Sequence, residues 1–285
     1  MESKDSFFRH KSTLNCRGKI LSLDTPLVMG ILNVTPDSFY AGSRLSSIDE
    51  VLQKAETMLA DGADVLDVGG YSSRPGADDV STEEELARLI PATEAIMKAF
   101  PEAVLSVDTF RARVAEEAVA AGASIINDIS GGNLDETMFE TVAKLQVPYI
   151  LMHMRGTPQT MNSLAKYDDV VLEVLDELQV LVAKLKQLDV KDIILDPGFG
   201  FAKTINHNFE LLNRLEELRI LELPILAGMS RKSMVYKALD IGQADALVGT
   251  TVVNTIALMK GAAILRVHDV KETKQTIELY KKTTH

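Results

Sequence analysis

The sequence predicts an α/β chain closed into one (β/α)8 barrel, and three observations carry that expectation. Eight short apolar runs recur along the chain. Nearly every run ends in a polar or glycine residue suited to chemistry. The segments between consecutive runs are long enough for a helix, so strand and helix alternate throughout. The 285 residues fit a single such barrel, which typically takes about 250. One domain over 1–285 is expected, with 1–13 as a flexible lead.

The elements follow in order. Residues 14–16 and 19–23 flank Arg17-Gly18 and read as a short hairpin that plugs the bottom of the barrel. The barrel runs are 27–32 ending at Asn33, 65–68 ending at Gly69-Gly70, 104–107 ending at Asp108, and 125–126 ending at Asn127-Asp128. Then come 149–152 ending at His153, 193–195 ending at Asp196, 225–227 ending near Ser230, and 264–267 ending at His268. Ser81 with Glu84 is a capping box, and Gly62 and Gly122 stand where helix C-caps belong. Val170, Val171, Val174, Leu175, Leu178, Leu181, Val182 and Leu185 form one apolar helix face for packing on the barrel. The seventh unit is longer, with a short helix over 232–239 and a second over 244–260. An extra short helix there is a common phosphate-holding device in barrels.

Bulk properties exclude several classes. A net charge of −11 and a pI near 5.0 argue against nucleic acid, which needs a basic footprint. An anionic substrate must therefore meet a local cationic cluster. No apolar run approaches a membrane span, and 1–10 carry no apolar secretory core. The single cysteine, Cys16, fits a reducing cytoplasm. No His/Cys cluster suggests zinc, no Gly-x-Ser-x-Gly elbow is present, and no Walker or Rossmann glycine pattern follows the first strand.

In barrels of this kind the strand ends carry the reactive groups. Asn33 offers an amide oxygen to a hard cation such as Mg²⁺ or to a phosphate-bound water. Asp108, Asn127 and Asp196 place two carboxylates and an amide at one mouth. That set suits a heterocycle with adjacent N–H donors and a carbonyl, such as a 2-amino-4-oxo pterin or guanine, because unpaired donors in a dry pocket are costly. Ser73 and Arg74, the Ser230-Arg231-Lys232-Ser233 stretch at a helix start, and Arg266 with His268 read as an anion site for a pyrophosphate. Phe199 and Phe201 are candidate stacking surfaces in a chain poor in aromatics. His153 and Arg155 lie in what reads as a mobile loop, with His153 structural.

These stretches resemble the dihydropteroate synthase family of pterin-binding TIM barrels. The residues that carry the resemblance are Asn-Val-Thr-Pro-Asp-Ser-Phe (33–39), Ser-Arg-Pro-Gly (73–76), Ser-Val-Asp (106–108), Ile-Asn-Asp (126–128), Met-His-Met (152–154), Asp-Pro-Gly-Phe-Gly-Phe (196–201), Ser-Arg-Lys-Ser (230–233) and Arg-Val-His (266–268). The match runs in order from about Asn15 to Tyr280. It implies a folate-pathway transferase that joins 6-hydroxymethyl-7,8-dihydropterin diphosphate to p-aminobenzoate and releases pyrophosphate. It implies that Asp108, Asn127, Asp196 and Lys232 hold the pterin, that Ser73, Arg74, Arg266 and His268 face the phosphates, and that Asn33 ligates Mg²⁺. It further implies a p-aminobenzoate pocket of Pro75, Phe201, Lys232 and Ser233, a sulfonamide target, and a homodimer formed through the late helices. The chain departs from the family pattern at Tyr71 and Ser73, where Glu and Thr are familiar, and at Ala202, where Gly is frequent. The alternatives are a catalytically inactive pterin-binding paralogue and a methyltetrahydrofolate:corrinoid methyltransferase; the latter would not need the cationic stretches.

Overall fold

The computed structural model describes residues 11–34, 44–71 and 80–284. Ser73, Arg74 and Pro75 lie outside the described residues.

Strands β1 (Thr13–Cys16) and β2 (Lys19–Ser22) pair antiparallel with Cys16 opposite Lys19. Arg17 (φ 56°) and Gly18 (φ 91°) both take left-handed conformations, the requirement of a tight two-residue hairpin turn. Leu14 and Cys16 turn inward and pack with Leu27, Met29, Val65, Ile125 and Ile264 at the bottom of the barrel. Burial pushes the Cys16 thiol up to about 12, so it stays protonated and inert. Of the lead expected over 1–13, residues 1–10 lie outside the described residues. Thr13 already opens β1, and Lys11 Nζ lies 2.5 Å from Asp192 Oδ1.

The barrel strands are β3 (Leu27–Asn33), β4 (Val65–Gly69), β5 (Leu105–Asp108), β6 (Ile125–Asp128), β7 (Tyr149–Met152), β8 (Ile193–Asp196), β9 (Leu226–Ala227) and β10 (Ile264–Val267). All pair in parallel in the order β8-β7-β6-β5-β4-β3-β10-β9. A parallel bridge between Leu195 and Ile225 joins the two ends, so the sheet closes into a ring with little exposed edge.

Among the described residues eight α-helices lie between these strands and a ninth follows the last: α1 (Arg44–Ala60), α2 (Thr82–Ala99), α3 (Ala112–Ala120), α4 (Met138–Leu145), α5 (Val170–Gln187), α6 (Ile205–Asn213), α7 (Ser233–Tyr236), α8 (Leu247–Met259) and α9 (Val270–Thr284). The Ser81 hydroxyl caps α2 and Glu84 returns the bond. Val170, Val171, Val174, Leu178, Val182 and Leu185 of α5 are buried, with Leu175 and Leu181 only half-buried at the stripe's margin. The short helix of the seventh unit is a single turn rather than 232–239; residues 237–240 form a turn that closes at Asp240 in a left-handed conformation (φ 53°). The following helix starts at Leu247 after a short 3-10 turn, Gln243–Asp245.

Period-two alternation explains the interior. Leu66, Val68, Leu105 and Val107 face the helices. So do Ile126, Leu151, Leu195 and Leu265 on the other side of the barrel. Val65, Ile125, Ile150, Ile194 and Ile264 face inward and fill the lower barrel. Two positions further along each strand, the same inward face carries Asp67, Asn127, Met152, Asp196 and Arg266. The barrel is thus apolar below and polar at its upper end.

Candidate active site

The polar layer is bonded together around Arg266. Its Nε donates to Asp67 Oδ2 at 2.6 Å, and its Nη2 donates to Asp108 Oδ2 at 2.7 Å. Asn127 Nδ2 donates to the same Asp67 oxygen at 3.1 Å. A carboxylate only accepts, so Asp67 fixes the amide of Asn127 with its NH₂ inward and its oxygen available as an acceptor. Asp67 is fully buried, and sequence reasoning missed it. The signal was present: Asp67 interrupts an apolar run two residues after Val65, in the same register as Asn127 and Asp196. Asp67 Oδ1 and Ser106 Oγ are buried with no partner among the described residues, and these two residues are cross-strand neighbours. Such orphaned groups are what a bound polar heterocycle would satisfy.

Asp196 ends β8, and its Oδ1 accepts from Gly198 N at 2.8 Å. The loop 197–201 then folds tightly back. A side chain on Gly198 (φ 72°) would lie 2.0 Å from the His153 carbonyl, so only glycine fits there. Lys232 reaches this loop from the other side, donating to the Phe199 carbonyl at 2.6 Å with its Nζ 4.8 Å from the Phe201 ring centre. The Phe199 side chain is fully buried in the main core, so it is not a stacking surface. Phe201 is half-buried and remains beside the site.

Electrostatics follow from this burial. Desolvation pushes Asp108 up to about 7 against the pull of Arg266, while Asp67 and other acids push it further. Desolvation likewise raises Asp196, opposed by Lys232, its own Gly198 bond and Arg266. Lys232 is lowered to about 8 by burial, with Asp196 pulling it back up. Burial alone would lower Arg266, but the charges of Asp67 and Asp108 more than offset it. Asp108, Asp196, Lys232 and Arg266 therefore sense one another within one mouth.

The remaining expected residues sort as follows. Asn33 stands exposed at the end of β3, and a side chain on Gly69 would sit 3.6 Å from its Oδ1, filling the space beside that oxygen. Among the described residues no group of three or more His, Cys, Asp or Glu could hold a metal. A lone amide oxygen suits Mg²⁺, which keeps most of its waters and shares substrate phosphates. Ser233 opens α7 directly after Lys232. His268 is held beside Ser230: the hydroxyl accepts from His268 N at 3.1 Å and lies 3.1 Å from Nδ1.

Arg231 does not join an anion site. It grips Asp269 through Nε (2.9 Å) and Nη2 (2.8 Å) and donates to the Gln243 and Ala244 carbonyls, so it braces the seventh unit. The segment with His153 and Arg155 is pinned rather than mobile: Arg155 bonds Glu173 and Glu177 of α5. Its guanidinium also lies 4.0 Å from the Tyr167 ring centre. Neither Asp108 nor Thr109 caps α3; its N-cap is Arg111, and the Ala112 N–H is taken by Asp135 from the next loop. Tyr71 meets Phe110 edge-on at 5.1 Å and lies 5.7 Å from the Arg111 guanidinium. It gives Arg111 an aromatic face rather than a charge.

A closed parallel barrel whose mouth offers fixed acceptors beside two half-buried cations, Lys232 and Arg266, has the build of an enzyme for an N–H-rich heterocycle. The comparisons agree. The family described as pterin binding enzyme matches residues 29–268. A dihydropteroate synthase of Escherichia coli (strain K12) is 46% identical over 273 residues, covering 95% of this chain and 96% of that one. The Yersinia pestis dihydropteroate synthase, solved in complex with a sulfonamide drug, superposes with a TM-score of 0.89 at 44% identity, over 95% of this chain and 98% of that one. The enzyme of Xanthomonas albilineans in complex with 7,8-dihydropteroate gives 0.85 at 36% identity, over 95% and 98%. This chain belongs to the pterin-binding enzymes, in the dihydropteroate synthase family.

Proposed function

We propose that the barrel mouth holds the pterin of 6-hydroxymethyl-7,8-dihydropterin diphosphate and delivers its exocyclic carbon to p-aminobenzoate. The observation that carries this reading is the convergence of Asp108, Asn127, Asp196, Lys232 and Arg266 on one buried polar layer. Asp108 and Asp196 accept from the ring's N–H groups, Asn127 offers its fixed oxygen, and Lys232 donates to the ring. The reaction breaks the carbon–oxygen bond to the diphosphate and forms a carbon–nitrogen bond to the aryl amine, which gives up one proton. Pyrophosphate leaves with the bonding pair.

The ring spreads the positive charge that develops as pyrophosphate departs. Preorganised carboxylates beside it stabilise that charge without reorganisation. The amine is neutral at working pH, so no strong base is required. Arg266 and His268, with Ser73 and Arg74, would face the phosphates. Phe201, Lys232 and Ser233, with Pro75, would form the p-aminobenzoate pocket. Asn33 would hold Mg²⁺, which when bound neutralises diphosphate charge.

The deciding experiment mixes purified protein, the pterin diphosphate, p-aminobenzoate and Mg²⁺, and follows pyrophosphate release. Turnover that requires both organic substrates supports the reading. Pterin binding without turnover would indicate an inactive paralogue. Methyl transfer from methyltetrahydrofolate to a corrinoid would indicate the other enzyme class.

We further propose a homodimer through the late helices. Val248, Val252 and Met259 of α8 and Leu279 of α9 are exposed, and α8 packs on α9. Such a set of exposed apolar residues fits a partner surface. Val248→Lys with Met259→Lys should convert a dimer to a monomer in sedimentation analysis. The protein would work in the cytoplasm, where its buried thiol stays reduced; among the described residues no helix is long and apolar enough to cross a membrane.

A further inference from the structure

A second charged cluster, built around the buried His153, lies behind the loop that follows Asp196. Lys203 Nζ donates to the carbonyls of Gly198 (3.1 Å) and Phe201 (3.1 Å) and contacts His153 Nδ1 at 2.9 Å. An ammonium has three protons and no acceptor, so three acceptors saturate it. His153 Nδ1 must then present its lone pair, which places the ring proton on Nε2, 2.9 Å from Glu177 Oε2. Glu177, midway along α5, is itself held by Arg155. The result is a directed chain, Glu177 to His153 to Lys203 to the backbone of loop 197–201.

That backbone has a second face. On it, Gly198 N bonds Asp196 Oδ1 and the Phe199 carbonyl receives Lys232. The loop is thus clamped between two half-buried lysines, Lys203 and Lys232. We propose that Lys203, oriented by His153 and Glu177, is a positioning residue that sets the placement of Asp196 and Lys232 and adds a cation behind the loop that carries the Asp196 carboxylate. The proposal rests on the pterin reading above.

The charges around the cluster are defined. Lys203 is pushed down to about 7 by burial, pulled up by Asp196, pushed down by Lys232, pulled up by Glu177 and pushed down by Arg155. Asp196 is raised by burial, opposed by Lys232, its Gly198 bond, Arg266 and, least of these, Lys203. His153 is lowered to about 4 by burial and by the Lys203 charge, against the pull of Glu177, so it stays neutral and keeps its orientation. Removing the Lys203 charge removes one support of the Asp196 carboxylate.

The test uses pH profiles of kcat/KM for the pterin diphosphate, pterin binding by calorimetry, and thermal melts. Lys203→Met should raise the acid limb by roughly half to one pH unit and cut kcat/KM at least tenfold. Lys203→Arg, which keeps the charge, should leave the acid limb where it is. If Lys203→Met does not fold, the half-exposed Glu177 provides the second arm. Glu177→Leu frees the His153 tautomer and should move the acid limb the same way, whereas Glu177→Gln keeps an acceptor and should restore the wild-type profile. A lowered melting temperature with unchanged limbs and unchanged kcat/KM in the Met and Leu variants would overturn the proposal. Absence of turnover in the wild-type protein would instead defeat the catalytic reading, and the pH dependence of pterin binding would still report on Lys203.

Discussion

Asp196 illustrates why a site residue need not serve stability. Its carboxylate is buried at 5% exposure and raised by desolvation, so ionisation works against the fold. Asp196→Asn removes that burden and one acceptor at once. The expected outcome is near-complete loss of pyrophosphate release, about 10³-fold, the size of loss seen when one preorganised electrostatic partner of a transition state is removed. The melting temperature should be unchanged or higher. Wild-type turnover would refute the pterin assignment.

Arg266 behaves in the opposite way. It neutralises both Asp67 and Asp108, so its loss strands two carboxylates. Arg266→Met should cost about 3–5 kcal/mol in urea denaturation, as breaking a buried pair does, and should abolish activity. Adding Asp67→Asn should recover part of the stability and none of the activity. If Arg266→Met is as stable as wild type, the network described here is not formed.

Among the elements, the loop between β8 and α6 is the most constrained. Gly198 abuts the His153 carbonyl, and Ala202 takes a left-handed conformation (φ 47°). The second position explains why glycine is frequent there in the family: a residue with a Cβ pays about 1 kcal/mol in that region. Gly198→Ala should displace the loop and lower both the melting temperature and the pterin affinity, measured by calorimetry. Wild-type affinity in that variant would mean that the loop does not set the position of Asp196. At this scale the sequence was a good guide. The hairpin turn, the α2 capping box and the α5 stripe each depend on residues within four positions of one another, and each formed as the pattern required. The one-turn α7 was not legible, because residues 233–239 hold no glycine or proline to stop a helix at Tyr236.

For the whole molecule, pH dependence joins these parts. Asp108 has a folded value of about 7, above its unfolded value near 4. Its contribution to stability is therefore complete below about pH 4 and lost as pH rises through about 7. Pterin N–H donors favour the ionised carboxylate, so ligand affinity should climb over that same interval. Lys232 loses its proton near 8, so kcat/KM should be bell-shaped with its maximum between about pH 7 and 8, the limbs belonging to the coupled mouth as a whole. A profile flat from pH 5.5 to 9 would contradict this electrostatic picture.

The sequence by itself determined the barrel, the hairpin plug and the strand-end positions of Asp108, Asn127, Asp196 and Arg266, because alternation and capping are local rules written in neighbouring residues. Only the tertiary structure decided which charges meet. Asp67 and Arg266 are 199 positions apart, and nothing local announces their bond. Nor does anything local divert Arg231 to Asp269 or bring Lys203 against His153. Pairing of buried charges is settled by closure of the ring, since desolvation makes each carboxylate take the cation that the fold sets beside it.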